Sequence, residues 1–177
     1  MTEEIRSSNP EAEQCNLPVT EPLVVSSPPP VGPCIVVIFG ASGDLARRKL
    51  IPSLYNLQTQ GLLAENFAVL GVARSAHSDA SFRTEMTKAI EQHSTVKVDK
   101  TQWKAFEKCL FYEQADYLDK KTYTRLKKRL ADLDEKLGTE GNYLYYLSVP
   151  PEVFDDITVS LGNNGLVREE DGHWRRI

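Results

Sequence analysis

The sequence predicts an α/β protein with a doubly wound, mostly parallel β-sheet covered by helices on both faces. Two observations lead to this prediction. Short runs of β-branched and aromatic residues alternate with longer amphipathic segments over most of the 177 residues, a pattern typical of parallel sheets with crossover helices. The first apolar run also leads directly into a glycine-containing turn and a charged helical segment, an order typical of phosphate-binding α/β domains.

Residues 1–33 are predicted to be a disordered, acidic and Pro-rich tail that precedes a single domain at 34–177. The tail holds five glutamates and one arginine, and it has too little apolar surface to offset the entropy of ordering. Its proline run at 28–30 fits a stiff spacer better than a polyproline ligand. Because the tail accounts for the whole net charge of −4, the domain is formally neutral and nucleic acid is not expected as a partner.

The three cysteines, Cys15, Cys34 and Cys109, are scattered and include no C-x-x-C pair. This pattern favours a reducing compartment and excludes a disulfide framework or a cysteine-based zinc site, so no metal is expected. The N-terminus lacks the features of a secretory signal, and no apolar run approaches the roughly 20 residues that span a bilayer. We therefore expect a cytoplasmic protein without a membrane partner.

The first strand is predicted at 34–39, where six consecutive apolar residues indicate burial on both faces. A helix is predicted at 43–60, with Gly61 just past its end as a C-cap. Pro52 lies inside this segment and has no N–H to donate to the helical ladder. A kink or a break is therefore expected near Leu50.

The remaining elements continue the same alternation. Further β-branched and aromatic runs predict strands at 67–73, 109–112, 143–149 and 173–177. Helices are predicted at 78–92, 101–108, 122–137 and 152–161. The first of these begins at Ser78, a favourable N-cap, and Pro151 is well placed to open the last.

Gly40 and Gly43 form the turn between the first strand and the first helix. Two residues separate these glycines, so the turn departs from the standard G-x-G-x-x-G, although Ala46 still permits close helix–strand packing. Gly40 allows a sharp reversal, Gly43 allows a phosphate to approach the backbone, and the N–H groups of the helix start attract its charge. A glycine turn without a ligand is the alternative.

Arg74 and Ser75 follow the second strand, where NAD enzymes usually carry an acidic residue that binds the ribose 2′-hydroxyl. A guanidinium suits a 2′-phosphate instead, and a carboxylate would repel it. Ser42 adds a hydroxyl donor on the same side of the turn. Together these residues favour NADP over the alternative that Arg74 is only a solvated charge at a strand end.

Four stretches of the sequence resemble the glucose-6-phosphate dehydrogenase family, in order and in spacing. They are Phe39-Gly-Ala-Ser-Gly-Asp-Leu-Ala-Arg-Arg-Lys-Leu-x-Pro52, Gly71-Val-Ala-Arg-Ser75, Asn142-Tyr-Leu-Tyr-Tyr-Leu-Ser-Val-Pro-Pro151 and Trp174-Arg-Arg-Ile177. The resemblance covers residues 34–177, and its long first stretch is far more specific than a glycine pattern. It implies a Rossmann-like domain that binds NADP.

The resemblance also implies which residues contact the coenzyme. These are Gly40, Ala41, Ser42, Gly43, Asp44, Leu45, Ala46, Arg47, Arg74 and Tyr146. The turn would surround the pyrophosphate, while Ser42 and Arg74 would bind the 2′-phosphate. Lys49 would lie at the coenzyme–substrate end of the cleft, with a solvated helix lysine as the alternative. Asp116 and Tyr117 would flank the adenosine, and the loop at 148–151 would lie near the nicotinamide.

By resemblance, the whole enzyme oxidises D-glucose 6-phosphate to 6-phospho-D-glucono-1,5-lactone with NADP⁺, the first step of the oxidative pentose phosphate pathway. The family's Glu-Lys-Pro-Phe-Gly loop and Arg-Ile-Asp-His-Tyr-Leu-Gly-Lys segment, which bind substrate and supply the base, have no match here. We therefore expect the catalytic residues beyond Ile177, the family's second, α+β domain to be absent, and this chain alone to be inactive. The full-length enzyme is expected to be a homo-oligomer.

Two alternative functions are kept open. A non-catalytic NADP-binding module is consistent with the missing catalytic residues. A short-chain dehydrogenase is less favoured, because its Tyr-x-x-x-Lys pair occurs twice, as Tyr117/Lys121 and Tyr123/Lys127, without the serine that must precede the tyrosine.

Overall fold

The computed structural model describes residues 29–94, 97–170 and 172–177. In these residues five strands form one sheet with the order β3-β2-β1-β4-β5, and every neighbouring pair is parallel. The strands are β1 (Cys34–Phe39), β2 (Phe67–Ala73), β3 (Leu110–Gln114), β4 (Tyr143–Leu147) and β5 (Arg175–Arg176). The predicted doubly wound, Rossmann-like α/β fold is confirmed.

Helices connect the strands and cover both faces of the sheet. They are α1 (Ile51–Thr59), α2 (Asp79–His93), α3 (Lys100–Phe106), α4 (Lys120–Leu137) and α5 (Phe154–Asn163). Short 3₁₀ turns at Glu107–Cys109 and Pro151–Val153 precede β3 and α5. As predicted, Ser78 caps α2, because its hydroxyl accepts a hydrogen bond from the Ser81 N–H at 3.1 Å.

Alternate residues of β1 divide the core into two layers. Val36 and Ile38 pack with residues of α1, α2 and α3, whereas Val37 and Phe39 pack with residues of α4 and α5. Every residue of β1 and β2 is buried, which agrees with their continuous apolar runs. In register, Phe39 pairs with Val72 of β2 and with Leu147 of β4. The carboxyl ends of these three strands therefore meet at one edge.

The segment around Pro52 differs in detail from the predicted kink or break. A π-helical turn at Ala46–Leu50 runs directly into α1, and the Ile51 N–H donates to the carbonyl oxygen of Ala46. Pro52 is near the start of α1 but follows this helical turn without a break, so it stands inside the continuous helix and has no N–H to donate to a carbonyl of the preceding turn. The wider π turn thus accommodates the proline with continuous helical winding.

The predicted tail at 1–33 falls largely outside the described residues, including Cys15 and Pro28, so its disorder from 1 to 28 stays a prediction. Val31 is an exception within the predicted tail. Its N–H donates to the carbonyl oxygen of Leu62 at 3.0 Å, and it pairs in parallel with Leu63. Ordered pairing therefore begins before Cys34. None of the helices in the described ranges is long and apolar enough to cross a membrane.

Candidate functional site

A cavity of about 220 Å³ opens at the carboxyl edge of the sheet. It lies where strand order reverses between β1 and β4, the position at which α/β sheets bind ligands. The lining residues come from the turn after β1, the end of β2, the segment after β3 and the loop after β4; they are Gly40, Ser42, Gly43, Ala73, Arg74, Ser75, Tyr117, Ser148, Val149 and Pro150. Larger grooves lie along α2 and beside Tyr146, away from this reversal point.

Gly40 is required where the turn after β1 meets the loop after β4. Its φ is +83°, and a Cβ there would overlap the carbonyl oxygen of Ser148 and lie 2.8 Å from the carbonyl carbon. The Ser148 N–H donates to the carbonyl oxygen of Phe39 at 2.9 Å, which holds the loop in this position. The Gly43 N–H closes the turn by donating to the Gly40 carbonyl at 2.8 Å.

Arg74 and Ser42 both line this cavity. The Arg74 side chain is exposed, and within the described ranges its guanidinium makes no ion pair or hydrogen bond. The Ser75 hydroxyl donates to the hydroxyl oxygen of Ser42 at 3.1 Å, which joins the end of β2 to the glycine turn. An unpaired guanidinium beside two hydroxyls fits a phosphate group.

Two residues of the fingerprint, Ala41 and Ala46, are fully buried and pack instead of lining the cavity. Ala41 lies against β2, where a Cβ on Gly71 would come within 2.8 Å of the Ala41 Cβ. The small side chains therefore allow the turn and the helix start to lie close to the sheet.

The charged residues of the fingerprint are not among the residues that line the cavity. Asp44 pairs with Arg48 at 3.2 Å, and Arg47 pairs with Glu85 of α2 at 2.9 Å. Leu45 and Lys49 are exposed and do not line the cavity. The coenzyme contacts assigned to these residues by resemblance remain predictions. Glu85, which holds Arg47, has no motif in the sequence that marks it.

Tyr146 lies apart from the other predicted contacts. It is 42% exposed on β4 and lines a separate groove of about 510 Å³ with Phe154 and Ile177. Asp116 is exposed in the turn after β3, where its carboxylate accepts from the Leu118 N–H at 3.1 Å. Neither residue lines the cavity at Gly40, so both assignments stay predictions.

Tyr117 does line the cavity, but its hydroxyl is already hydrogen-bonded to the backbone. It accepts a hydrogen bond from the Gly40 N–H at 3.0 Å and donates to the Val72 carbonyl at 3.3 Å. Burial raises the pKa of Tyr117, so its hydroxyl stays protonated at neutral pH. Tyr117 thus supports the glycine turn, and its predicted contact to adenosine stays a prediction.

The histidines lie outside the cavity. His77 faces Glu85, with its Nε2 3.3 Å from the carboxylate, and neither it nor His93 or His173 lines the site. Among residues 29–94, 97–170 and 172–177, no group of three or more His, Cys, Asp or Glu side chains could hold a metal ion. The cavity can thus hold an anionic ligand, and the residues that line it include no acid or histidine to act as a base.

Comparisons with known proteins show the family to which this chain belongs. Residues 37–177 match the family described as "Glucose-6-phosphate dehydrogenase, NAD binding domain". The glucose-6-phosphate 1-dehydrogenase of Chlamydia muridarum is 42% identical over 153 residues, which cover 84% of this chain and 30% of the relative. That of Aggregatibacter actinomycetemcomitans is 44% identical over 144 residues, which cover 81% of this chain and 28% of the relative.

A solved glucose-6-phosphate dehydrogenase in complex with its substrate glucose-6-phosphate has the same fold. It superimposes with a TM-score of 0.69 and 26% identity, covering 82% of this chain and 29% of that one. The chain therefore spans about 30% of the length of the curated relatives it matches. From the family match over residues 37–177, this chain belongs to the glucose-6-phosphate dehydrogenase family and corresponds to its nicotinamide-dinucleotide-binding domain.

Proposed function

We propose that this chain binds NADP as the coenzyme-binding part of a glucose-6-phosphate dehydrogenase. The complete enzyme would oxidise D-glucose 6-phosphate to 6-phospho-D-glucono-1,5-lactone, with the bound NADP⁺ as the hydride acceptor. Family membership and the relatives' names support the reaction. The chain's own contribution is to bind and orient the coenzyme.

The observation that carries the coenzyme choice is the unpaired Arg74 guanidinium beside Ser42 and Ser75. Its charge is available to a 2′-phosphate because no carboxylate among the described residues neutralises it. The turn at Gly40 and Gly43, with the helix start behind it, would receive the pyrophosphate. Ser148 and Pro150 would border the nicotinamide end of the coenzyme. By resemblance, further contacts to the coenzyme would come from residues that do not line the cavity: Asp44, Leu45, Arg47, Lys49 and Tyr146.

The proposal also covers the location, the oligomeric state and the substrate of the complete enzyme. The scattered cysteines support a reducing, cytoplasmic location. Homo-oligomerisation and the binding of the sugar phosphate are inferred from the resemblance alone. Size measurements on the complete enzyme test its oligomeric state, and its fractionation from cells tests the cytoplasmic location.

Equilibrium titration with NADP and with NAD tests the coenzyme assignment, using the wild type and Arg74→Asp. The variant replaces a charge that attracts phosphate by one that repels it. It should therefore weaken NADP binding by about 1–3 kcal/mol and leave NAD binding nearly unchanged. Arg168→Asp is the matched control, because it makes the same charge change at an exposed arginine outside the cavity. Equal losses for both coenzymes would contradict a role of Arg74 at the 2′-phosphate.

A non-catalytic NADP-binding module is the second candidate, favoured by a cavity without a histidine or an acid in its lining. Turnover of glucose 6-phosphate with NADP separates the two candidates. It should be undetectable for this chain and appear when the chain is extended with the corresponding region of the Chlamydia muridarum relative. NADP binding without turnover in the extended protein would favour the module.

A further inference from the structure

The chain segment that carries Arg74 is anchored to β3 through three consecutive carbonyl groups. The carbonyl oxygen of Ala73 accepts from the Ala115 N–H at 2.9 Å, which continues the β2–β3 ladder. The carbonyl oxygen of Arg74 accepts from the side-chain amide of Gln114 at 3.2 Å. The carbonyl oxygen of Ser75 accepts from the hydroxyl of Tyr112 at 2.7 Å. Two side chains of β3 thus hold the backbone after β2 has ended.

Tyr112 is itself held in place by its surroundings. Its side chain is 4% exposed, and its ring lies 5.0 Å from the ring of Phe82 and 5.2 Å from that of His77. Its own N–H donates to the carboxylate of Asp79 at 2.8 Å. Burial raises the pKa of Tyr112 to about 12, so the hydroxyl is a proton donor throughout the neutral range.

This anchoring determines where the Arg74 guanidinium can reach. The side chain is exposed, and in the described ranges no ion pair or hydrogen bond of its guanidinium holds it. Its position relative to Ser42 therefore depends on its backbone and on the Ser75–Ser42 hydrogen bond, which the Tyr112 contact to the Ser75 carbonyl supports. A preformed site loses less entropy when it binds its ligand.

We propose that Tyr112 and Gln114 are positioning residues for coenzyme choice, which hold Arg74 and Ser75 so that the guanidinium and the Ser42 hydroxyl face one phosphate. Neither residue needs to touch the coenzyme. The inference rests on the proposed NADP preference, which the wild-type titration tests separately. It concerns only the 2′-phosphate, so it predicts an effect on NADP that NAD does not share.

The experiment compares the dissociation constants for NADP and NAD in the wild type, Tyr112→Phe and Gln114→Ala. Phenylalanine keeps the ring contacts with Phe82 and removes only the hydroxyl. The lost hydroxyl lies within hydrogen-bond distance of two carbonyl oxygens, that of Ser75 at 2.7 Å and that of Ala73 at 3.2 Å. Its loss should weaken NADP binding about 3- to 10-fold and change NAD binding less than about twofold. Gln114→Ala alters an exposed side chain that should not affect folding, and it should lower the NADP preference in the same direction.

Tyr55→Phe is the matched control. The Tyr55 hydroxyl is also buried and also bonded to backbone, with the N–H and the carbonyl of Asp99 at 3.2 and 3.3 Å, but it does not line the cavity. This variant should keep the wild-type NADP-to-NAD ratio even if its melting temperature falls.

The outcomes distinguish the positioning role from the NADP assignment on which it rests. A selective loss of NADP affinity in both variants supports the positioning role. If both variants keep the wild-type preference for NADP, or lose equal affinity for NADP and NAD, the positioning role is overturned. The coenzyme assignment is unaffected by either result. A wild type without any preference overturns the coenzyme assignment and the positioning role together.

Discussion

The backbone N–H of Gly40 donates a hydrogen bond to the hydroxyl oxygen of Tyr117, 3.0 Å away and 77 residues later in the chain. The same hydroxyl donates to the Val72 carbonyl, and the Tyr117 ring meets the Phe39 ring edge-on at 5.9 Å. One side chain from the segment after β3 therefore links the end of β1, the end of β2 and the glycine turn. The shape of the turn is fixed by tertiary contacts as much as by its own glycines.

Tyr117→Phe should lower the free energy of unfolding by about 1 kcal/mol or more, because it removes the hydroxyl that bonds to the Gly40 N–H and the Val72 carbonyl and keeps the ring. Chemical denaturation measures this loss. Tyr146→Phe is the control, since the hydroxyl of Tyr146 is exposed and has no hydrogen-bond partner among the described residues. The same loss in both variants would show that the hydrogen bonds of the Tyr117 hydroxyl do not stabilise the fold.

Gly40→Ala should prevent stable folding or cost several kcal/mol, because the new Cβ meets the backbone of Ser148 and φ is +83°. Gly162→Ala should have the opposite effect and raise the stability. Gly162 lies inside α5 with open space around it, so alanine there should add about 0.5–1 kcal/mol of stability. Thermal melts of the two variants check both signs. A Gly40→Ala protein as stable as the wild type would contradict the close approach of Ser148.

The central strands could be predicted from the sequence because burial on both faces leaves an uninterrupted apolar run. The bounds of β1 and β2 agree with those predicted. The outer strands were predicted less well, for physical reasons. β3 extends through Glu113 and Gln114, whose polar side chains break the apolar run. β5 has only two residues, Arg175 and Arg176, instead of the predicted five.

The site could be predicted where it depends on residues next to strand ends. Ser42 and Arg74 lie at one rim because β1 and β2 are neighbours in parallel register. Contacts between side chains of distant elements could not be predicted in this way. The Arg47–Glu85 ion pair and the Tyr112 hydrogen bond to Ser75 depend on how α2 and β3 are placed. No short motif encodes either of them.

The protein should lose stability as the pH rises above 10. Burial raises the pKa of five tyrosines, Tyr112, Tyr117, Tyr123, Tyr143 and Tyr145, from their ordinary value of 10. In the unfolded chain these hydroxyls ionise near pH 10, while the folded state retains the protons, so ionisation favours unfolding. For Tyr112, whose folded pKa is about 12, the loss develops between pH 10 and 12.

Urea denaturation at a series of alkaline pH values measures this loss. Tyr145→Phe should make the decline less steep, because it removes one buried group that ionises in the unfolded chain. The buried thiol of Cys34 acts in the same direction, since its pKa is raised from 9 to about 11. A stability that is constant up to pH 11.5, on the order of one pH unit or more above the ordinary tyrosine value, would contradict the raised pKa values.

The outer edge of β3 is closed by charged side chains of α2. β3 is the terminal strand of the sheet, so its outward N–H and carbonyl groups have no neighbouring strand. The carbonyl oxygen of Leu110 accepts from the guanidinium of Arg83 at 2.8 Å, and the Tyr112 N–H donates to Asp79 at 2.8 Å. An open edge of this kind can pair with a second copy of the chain.

The double variant Asp79→Ala/Arg83→Ala should therefore self-associate, because it exposes backbone groups that can form a continuous sheet between two molecules. Sedimentation velocity over a range of concentrations should show a dimer or larger species that the wild type lacks at the same concentration. Lys88→Ala/Glu91→Ala is the matched control, since it removes one charge of each sign from exposed or peripheral positions of α2 that do not bond to β3. If the double variant sediments as the wild type does while remaining folded, these two side chains do not protect the edge.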